Sequence, residues 1–125
     1  MERVRIEESV SGFERYNLEM YLGECKIGLL TYNTYRPSGI WIEYLWVRPE
    51  LRRKGYATTL MNKFFNLIGD YKGNICLQAV ANWDSTSLNS KHRIKQADLE
   101  GFYCKFGFAV VKRDGFGFSD MERQC

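Results

Sequence analysis

Trp46-Val47-Arg48-Pro49-Glu50-Leu51-Arg52-Arg53-Lys54-Gly55-Tyr56-Ala57 is the stretch that decides the fold. It leaves an apolar strand, passes a proline-marked turn and enters a helix through a glycine. The first N–H groups of a helix have no partner within it, and the helix dipole adds partial positive charge there. Gly55 lets the backbone approach a bound group closely, and the small Ala57 keeps that approach clear. Arg52, Arg53 and Lys54 add cations. The spacing suits a pyrophosphate. The plainer alternative is a solvated charged turn before an ordinary helix, and the strand–turn–helix setting favours the anion site.

Upstream of the turn, Ile40 to Val47 reads as a strand apolar on both faces. Ile40, Ile42, Tyr44 and Trp46 fall on one side, with Trp41, Leu45 and Val47 on the other. Such a strand is expected to be central and covered on both sides. Glu43 is its one charged residue and falls, by alternation, on the side of Leu45 and Val47. Earlier still, Met1 to Val10, Tyr16 to Leu22 and Lys26 to Tyr32 alternate as three further strands. Ser11-Gly12 and Gly23-Glu24 are the expected turns between them.

Downstream, Ala57, Leu60, Met61, Phe64, Phe65 and Ile68 keep helical spacing up to Gly69. Asn74 to Val80 is a strand, and Ala81 to Lys95 a long polar loop carrying Trp83, Asp84, His92 and Arg93. Leu99, Phe102, Tyr103 and Phe106 place a second helix over Gln96 to Phe106, closed by Gly107. Phe108 to Val111 and Phe116 to Met121 complete a β-β-β-β-α-β-α-β-β order, joined by the turn Arg113-Asp114-Gly115. Strands lead and helices follow, so the fold class expected is α/β (α+β). It has a central mixed, mostly antiparallel sheet and two main helices.

The bulk composition agrees with a single domain over residues 1–125. A 15% share of aromatics supports a sizeable core in so short a chain. A net charge of +3 is too modest to argue for nucleic acid, although Arg48 to Lys54 and Lys91 to Lys95 are local basic clusters. Cys25, Cys76, Cys104 and Cys125 lie far apart with no CxxC pair, which points to free, buried thiols, a cytoplasmic setting and no metal. No run is long and apolar enough to span a bilayer, so no membrane partner is expected.

Two stretches together resemble a known family. Arg52-x-x-Gly55-x-Ala57 is similar to the [RQ]-x-x-G-x-[GA] acetyl-CoA pyrophosphate motif of the GNAT acyltransferases, and Leu45-Trp46-Val47-Arg48-Pro49 resembles its lead-in. Leu99-x-x-Phe102-Tyr103-x-x-Phe106-Gly107-Phe108 resembles the family's late helix, where a tyrosine stands four residues before a Gly-Phe pair. The resemblance covers about Ile40 to Val111. It implies an N-acetyltransferase that uses acetyl-CoA as acyl donor and a primary amine as acceptor. The strand residues Leu45, Trp46 and Val47 would line the pantetheine arm. The turn from Arg52, Arg53, Lys54, Gly55, Tyr56 and Ala57 to Thr58 would hold the pyrophosphate. Gln96 stands where many members carry a cofactor-contacting Asn, so it is a further candidate contact.

The chemistry so implied is direct attack of the amine on a thioester, which needs no nucleophilic side chain, and Cys104 has no His or Asp at a suitable spacing to serve as one. Tyr103 is the candidate acid for the leaving thiolate; its alternative is a core aromatic. Glu43 is the candidate base, because a carboxylate in an apolar strand is costly unless paired or functional. Its alternatives are a salt-bridged Glu, an ordered water as base, and His92 in the long loop.

One family feature is absent. A pair of helices normally follows the first strand and walls the acceptor site, and Val10 to Arg15 is too short for it. The expectation is a short-form GNAT with an open acceptor site, suited to a lysine or N-terminus of a protein. A homodimer could rebuild the wall, with the aromatic C-terminal hairpin as its candidate interface. Short forms occur on phages and mobile elements, which would make the host cytoplasm the site of action. The competing expectation is a non-catalytic GNAT-like module that binds acyl-CoA or a protein partner.

Overall fold

A computed structural model describes residues 4–79, 95–115 and 118–124 of the chain. Among them are seven strands and two α-helices, in the order expected from the sequence. They fall into two units, Met1–Tyr71 and Lys72–Cys125.

In the first unit β1 (Val4–Gly12), β2 (Arg15–Leu22), β3 (Cys25–Asn33) and β4 (Ile40–Val47) pair in sequence order, each antiparallel to the next. The first turn differs from expectation. β1 runs through Ser11 to Gly12, and only Phe13 and Glu14 connect it to β2, with Glu14 at φ 49. No helix pair stands between the first two strands. The second hairpin turns at Gly23-Glu24 as expected.

Helix α1 (Tyr56–Ile68) covers one face of these strands. Its residues Leu60, Met61 and Phe64 meet the even-numbered side of β2 and β3, and Leu18, Met20, Leu30 and Phe64 are at most 1% exposed. Phe64 packs edge-on against Tyr32, with ring centroids 5.0 Å apart. Gly28 permits this close approach: a Cβ there would lie 3.1 Å from Leu60 Cδ1 and 3.2 Å from the Trp46 carbonyl oxygen. On the outer strand, Glu8 faces the same helix, with Lys63 Nζ at 3.9 Å.

In the second unit β5 (Asn74–Ala79), β7 (Ser119–Gln124) and β6 (Ala109–Arg113) pair antiparallel in that spatial order, with helix α2 (Gln96–Cys104) on β5 and β6. Three expected boundaries move. The helix ends at Cys104 instead of Phe106, because a left-handed Gly107 (φ 91) breaks it and folds Phe108 back under Tyr103. The last two strands shift toward the C-terminus, so that Arg113 pairs with Ser119 and lies inside β6. Residues 116–117, the start expected for the last strand, lie outside the described residues, as do 80–94 with Trp83, Asp84, His92 and Arg93.

A polar cluster ties α2 to its strands. Arg113 Nη1 and Nη2 donate to the Glu100 carboxylate at 2.7 and 2.9 Å, and the Ser119 hydroxyl donates to it as well. Gln96 Nε2 donates to the Ala79 carbonyl at 2.8 Å and to Glu100 at 3.2 Å. The Arg113 bond first, then the Ser119 and Gln96 bonds, hold the Glu100 carboxyl down at about 2.

The free thiols also depart from expectation. Cys76 is buried, but Cys25 opens β3 beside a turn and Cys104 closes α2 on its outer side, and both are exposed.

Phe64→Ala should cost about 3–5 kcal/mol in urea unfolding, the range for emptying a fully buried aromatic site. Glu100 carries a lowered pKa, so its contribution is full above its ordinary 4.5 and is lost as the pH falls toward 2. Glu100→Gln should therefore lower the Tm at pH 7, and calorimetry should find the gap to the parent closing on acidification.

Candidate active site

The decisive local feature is an extra residue in β4. Leu30 pairs with Leu45 and Thr31 with Tyr44, but Tyr32 pairs with Ile42, which leaves Glu43 as the inserted residue of a β-bulge. Directly paired residues share a face. Tyr32 touches Phe64 of α1, so Ile42 faces the helix, and Gly28 beneath Leu60 places Val47 there too. Ile40, Ile42 and Val47 are accordingly buried, while Tyr44 is 40% exposed. The two apolar sets expected from strict alternation are thus regrouped: Ile40, Ile42, Leu45 and Val47 face α1.

Glu43 faces the opposite way, which corrects its expected grouping with Leu45 and Val47. Its carboxylate accepts from Arg15 Nε at 3.0 and 3.1 Å and from Asn33 Nδ2 at 2.8 Å. Arg15 and Asn33 are themselves cross-strand partners on β2 and β3. A second polar pair continues the row, with Thr31 Oγ1 donating to Asn17 Oδ1 at 2.8 Å. Thr31 and Asn33 are fully buried, and Asn33 Oδ1 has no hydrogen-bond partner among the described residues. Leaving a buried acceptor unpaired costs about 1–3 kcal/mol. Neither Arg15 nor Asn33 was singled out by the sequence. Asn33, a polar residue ending an apolar strand, was the available signal, but the pairing register is what brings it to Glu43.

After β4 the chain makes a short 3-10 turn, Pro49–Leu51, before α1. The helix therefore begins at Tyr56, later than a direct strand-to-helix passage would give. Arg48 Nε donates to the Lys26 carbonyl at 2.9 Å and Arg52 Nε to the Val47 carbonyl at 3.0 Å, so both arginines pin the turn to the strand ends. Arg53 and Gly55 are left-handed, at φ 65 and 88. Gly55 is the N-cap, no side chain among the described residues caps the helix, and no acidic residue stands in its first turn. Arg53 and Lys54 are exposed, with no ion-pair partner among the described residues. A Cβ at Gly55 would meet nothing within 4 Å. Tyr56, Ala57 and Thr58 supply the first-turn N–H groups, and Leu45, Trp46 and Val47 form the strand end leading into the turn.

Tyr103 and Gln96 belong to the second unit. Tyr103 is 6% exposed and packs against Phe102 and Phe108. Burial raises its hydroxyl above the ordinary 10.0, which keeps the phenol protonated and able to donate. The Gln96 amide nitrogen is committed to Ala79, Glu100 and Ser119. Among the described residues no group of His, Cys, Asp and Glu could hold a metal ion, and no helix is long and apolar enough to cross a membrane.

A family model described as an acetyltransferase (GNAT) domain matches residues 16–110, well over half of the chain. The chain belongs to the GNAT acetyltransferase family. Comparison of this GNAT chain with curated protein sequences gives no match. Solved structures with the same fold include an acetyltransferase from Thermus thermophilus, 16% identical at a TM-score of 0.67 over 90% of this chain and 65% of that one. The PaiA N-acetyltransferase of Thermoplasma acidophilum, solved with coenzyme A, is 21% identical at a TM-score of 0.61, covering 90% and 62%. Naa50 of Arabidopsis thaliana, solved with the bisubstrate analogue CoA-Ac-MVNAL, is 17% identical at a TM-score of 0.63, covering 87% and 72%. The present GNAT chain thus spans less than two thirds of the Thermus and Thermoplasma proteins. These likenesses bear out the expected GNAT fold.

Because Tyr103 has a raised pKa, its contribution to stability is full below pH 10 and declines as the pH rises above that. Tyr103→Phe should lose less stability than the parent between neutral pH and about pH 11, followed by circular dichroism. Tyr32 and Tyr21, also raised by burial, leave a residual slope in both proteins.

Proposed function

We propose that this chain is a single-domain N-acetyltransferase of the short GNAT form, moving an acetyl group from acetyl-CoA to a primary amine. The observation that carries this reading is the start of α1 behind the left-handed Gly55, without a side-chain cap among the described residues and flanked by the exposed cations Arg53 and Lys54. Unpaired first-turn N–H groups, dipole and cations together suit a pyrophosphate. Family membership and the coenzyme A of the Thermoplasma structure support the same ligand.

Acetyl-CoA supplies an activated thioester, so the chain need only bind, orient and move protons. Arg53, Lys54 and the N–H groups of Tyr56, Ala57 and Thr58 hold the diphosphate. Arg52 fixes the turn against Val47, and the β4 end at Leu45, Trp46 and Val47 runs beside the pantetheine arm. A backbone N–H near Val47 polarises the thioester carbonyl. Glu43, directly or through a water, takes the proton that the amine nitrogen loses as it forms its bond to carbon. The protonated Tyr103 gives a proton to the sulfur as the C–S bond breaks. Gln96 positions α2, and so Tyr103, through its bonds to Ala79 and Ser119.

The two-residue link between β1 and β2 leaves no room for a helical wall at the acceptor side, which supports a lysine or N-terminus of a protein as acceptor. A second copy of the chain would serve as an alternative wall. The free thiols at Cys25, Cys76 and Cys104 accord with a reducing cytoplasm.

A second reading is a non-catalytic acyl-CoA-binding module, favoured by the commitment of the Glu43 carboxylate to Arg15 and Asn33. Calorimetric titration with acetyl-CoA and a thiol-release assay with an unblocked lysine-bearing peptide separate the two. The enzyme reading expects binding that Gly55→Glu abolishes, and CoA release that Tyr103→Phe slows about 10²-fold with little change in acetyl-CoA affinity. Binding without release would establish the module, and no binding would remove both readings.

A further inference from the structure

We infer that Arg15 and Asn33 are positioning residues that fix the Glu43 carboxylate for its role at the acceptor amine; the inference rests on the acetyltransferase reading above. Glu43 is the inserted residue of the β4 bulge, so the ladder alone does not dictate where its side chain points. Two donors from neighbouring strands supply that constraint. Arg15 Nε bridges both carboxylate oxygens at 3.0 and 3.1 Å, and Asn33 Nδ2 reaches Oε2 at 2.8 Å. Oε2 therefore accepts two bonds and Oε1 one, which leaves Oε1 with capacity for a further donor. The Glu43 side chain keeps 19% of its exposure, so it is not sealed off from outside.

The amide of Asn33 is poorly explained by stability. The residue is 0% exposed, yet its Oδ1 has no partner among the described residues. An apolar side chain at this position would avoid that penalty. What an apolar side chain could not do is donate to Glu43.

The Arg15 bond has a comparable character. The guanidinium is held by Ser11 Oγ at 3.4 Å on the far side and lies 6.0 Å over the Tyr44 ring, the exposed neighbour of Glu43 in the bulge. Arg15 is the first residue of β2, directly after the two-residue turn of Phe13 and Glu14. The short connection thus delivers a cation to the carboxylate. Both donors act through Glu43 and touch no reacting atom.

The test is a double-mutant cycle on the full chain, with acetyl-CoA and an unblocked lysine-bearing peptide as substrates. Arg15→Gln and Asn33→Ala should each lower kcat tenfold to a hundredfold, with KM for acetyl-CoA within about twofold of the parent, as expected when a reacting group is misplaced by about 1 Å. In a Glu43→Gln background the same substitutions should lower kcat no further, because the group they position is gone. Arg15→Lys, which retains a cationic donor, should recover part of the loss. Arg15 is partly exposed and safeguards the test should Asn33→Ala fail to fold.

A separate readout needs no turnover: the side-chain amide resonances of Asn33 should move in Glu43→Gln. Resonances that stay in place, or an Arg15→Gln loss of equal size with and without Glu43, would overturn this inference alone. A parent protein that binds acetyl-CoA but acetylates no peptide would overturn the acetyltransferase reading and this inference with it.

Discussion

The insertion of Glu43 into β4 is the constraint on which the arrangement of the first unit depends. Without it, strict alternation would place Leu45 and Val47 on the opposite face from Ile40 and Ile42. With it, all four face α1, and the helix closes over an unbroken apolar surface from Leu18 to Val47. The same insertion sets Glu43 and Tyr44 side by side on the other face. A single local irregularity thus separates the core of this unit from its polar face.

That polar face is built on pairing geometry. Arg15, Asn33 and Glu43 come from three strands and meet because Arg15 opposes Asn33 in the β2–β3 ladder while the bulge swings Glu43 toward them. Beside them Asn17 and Thr31 repeat the pattern one pair further along. Buried polar groups are tolerated when they satisfy one another, and here one acceptor is left over at Asn33.

The turn after β4 divides its cations by role. Arg48 and Arg52 commit their Nε donors to the Lys26 and Val47 carbonyls, which anchors the turn to the ends of β3 and β4. Arg53 and Lys54 remain outside, before a helix start that has no cap of its own. In a run of similar cations, the structure separates those that shape the turn from those that present charge.

Much of this was legible in the residues. The element order, the helical spacing of Leu60, Met61 and Phe64, the glycine at the start of α1 and the late Tyr103-to-Phe108 signature all follow from local chemistry: apolar periodicity and the freedom of glycine. The ends of the last strands were less so, because the breaking glycine at 107 and the β6–β7 register were needed to set them. Glu43 stands out in the sequence as an anomaly, but strict alternation puts it on the wrong face, since a period of two cannot anticipate an inserted residue. Asn33, a polar residue ending an apolar strand, gives only a faint signal, and Arg15 gives none. Sequence neighbours determine helices, turns and the anion-binding start of α1, whereas the partners of Glu43 are separated from it along the chain and are brought together only by strand register. The sequence by itself determined the family and the turn; the tertiary structure decided what holds the carboxylate.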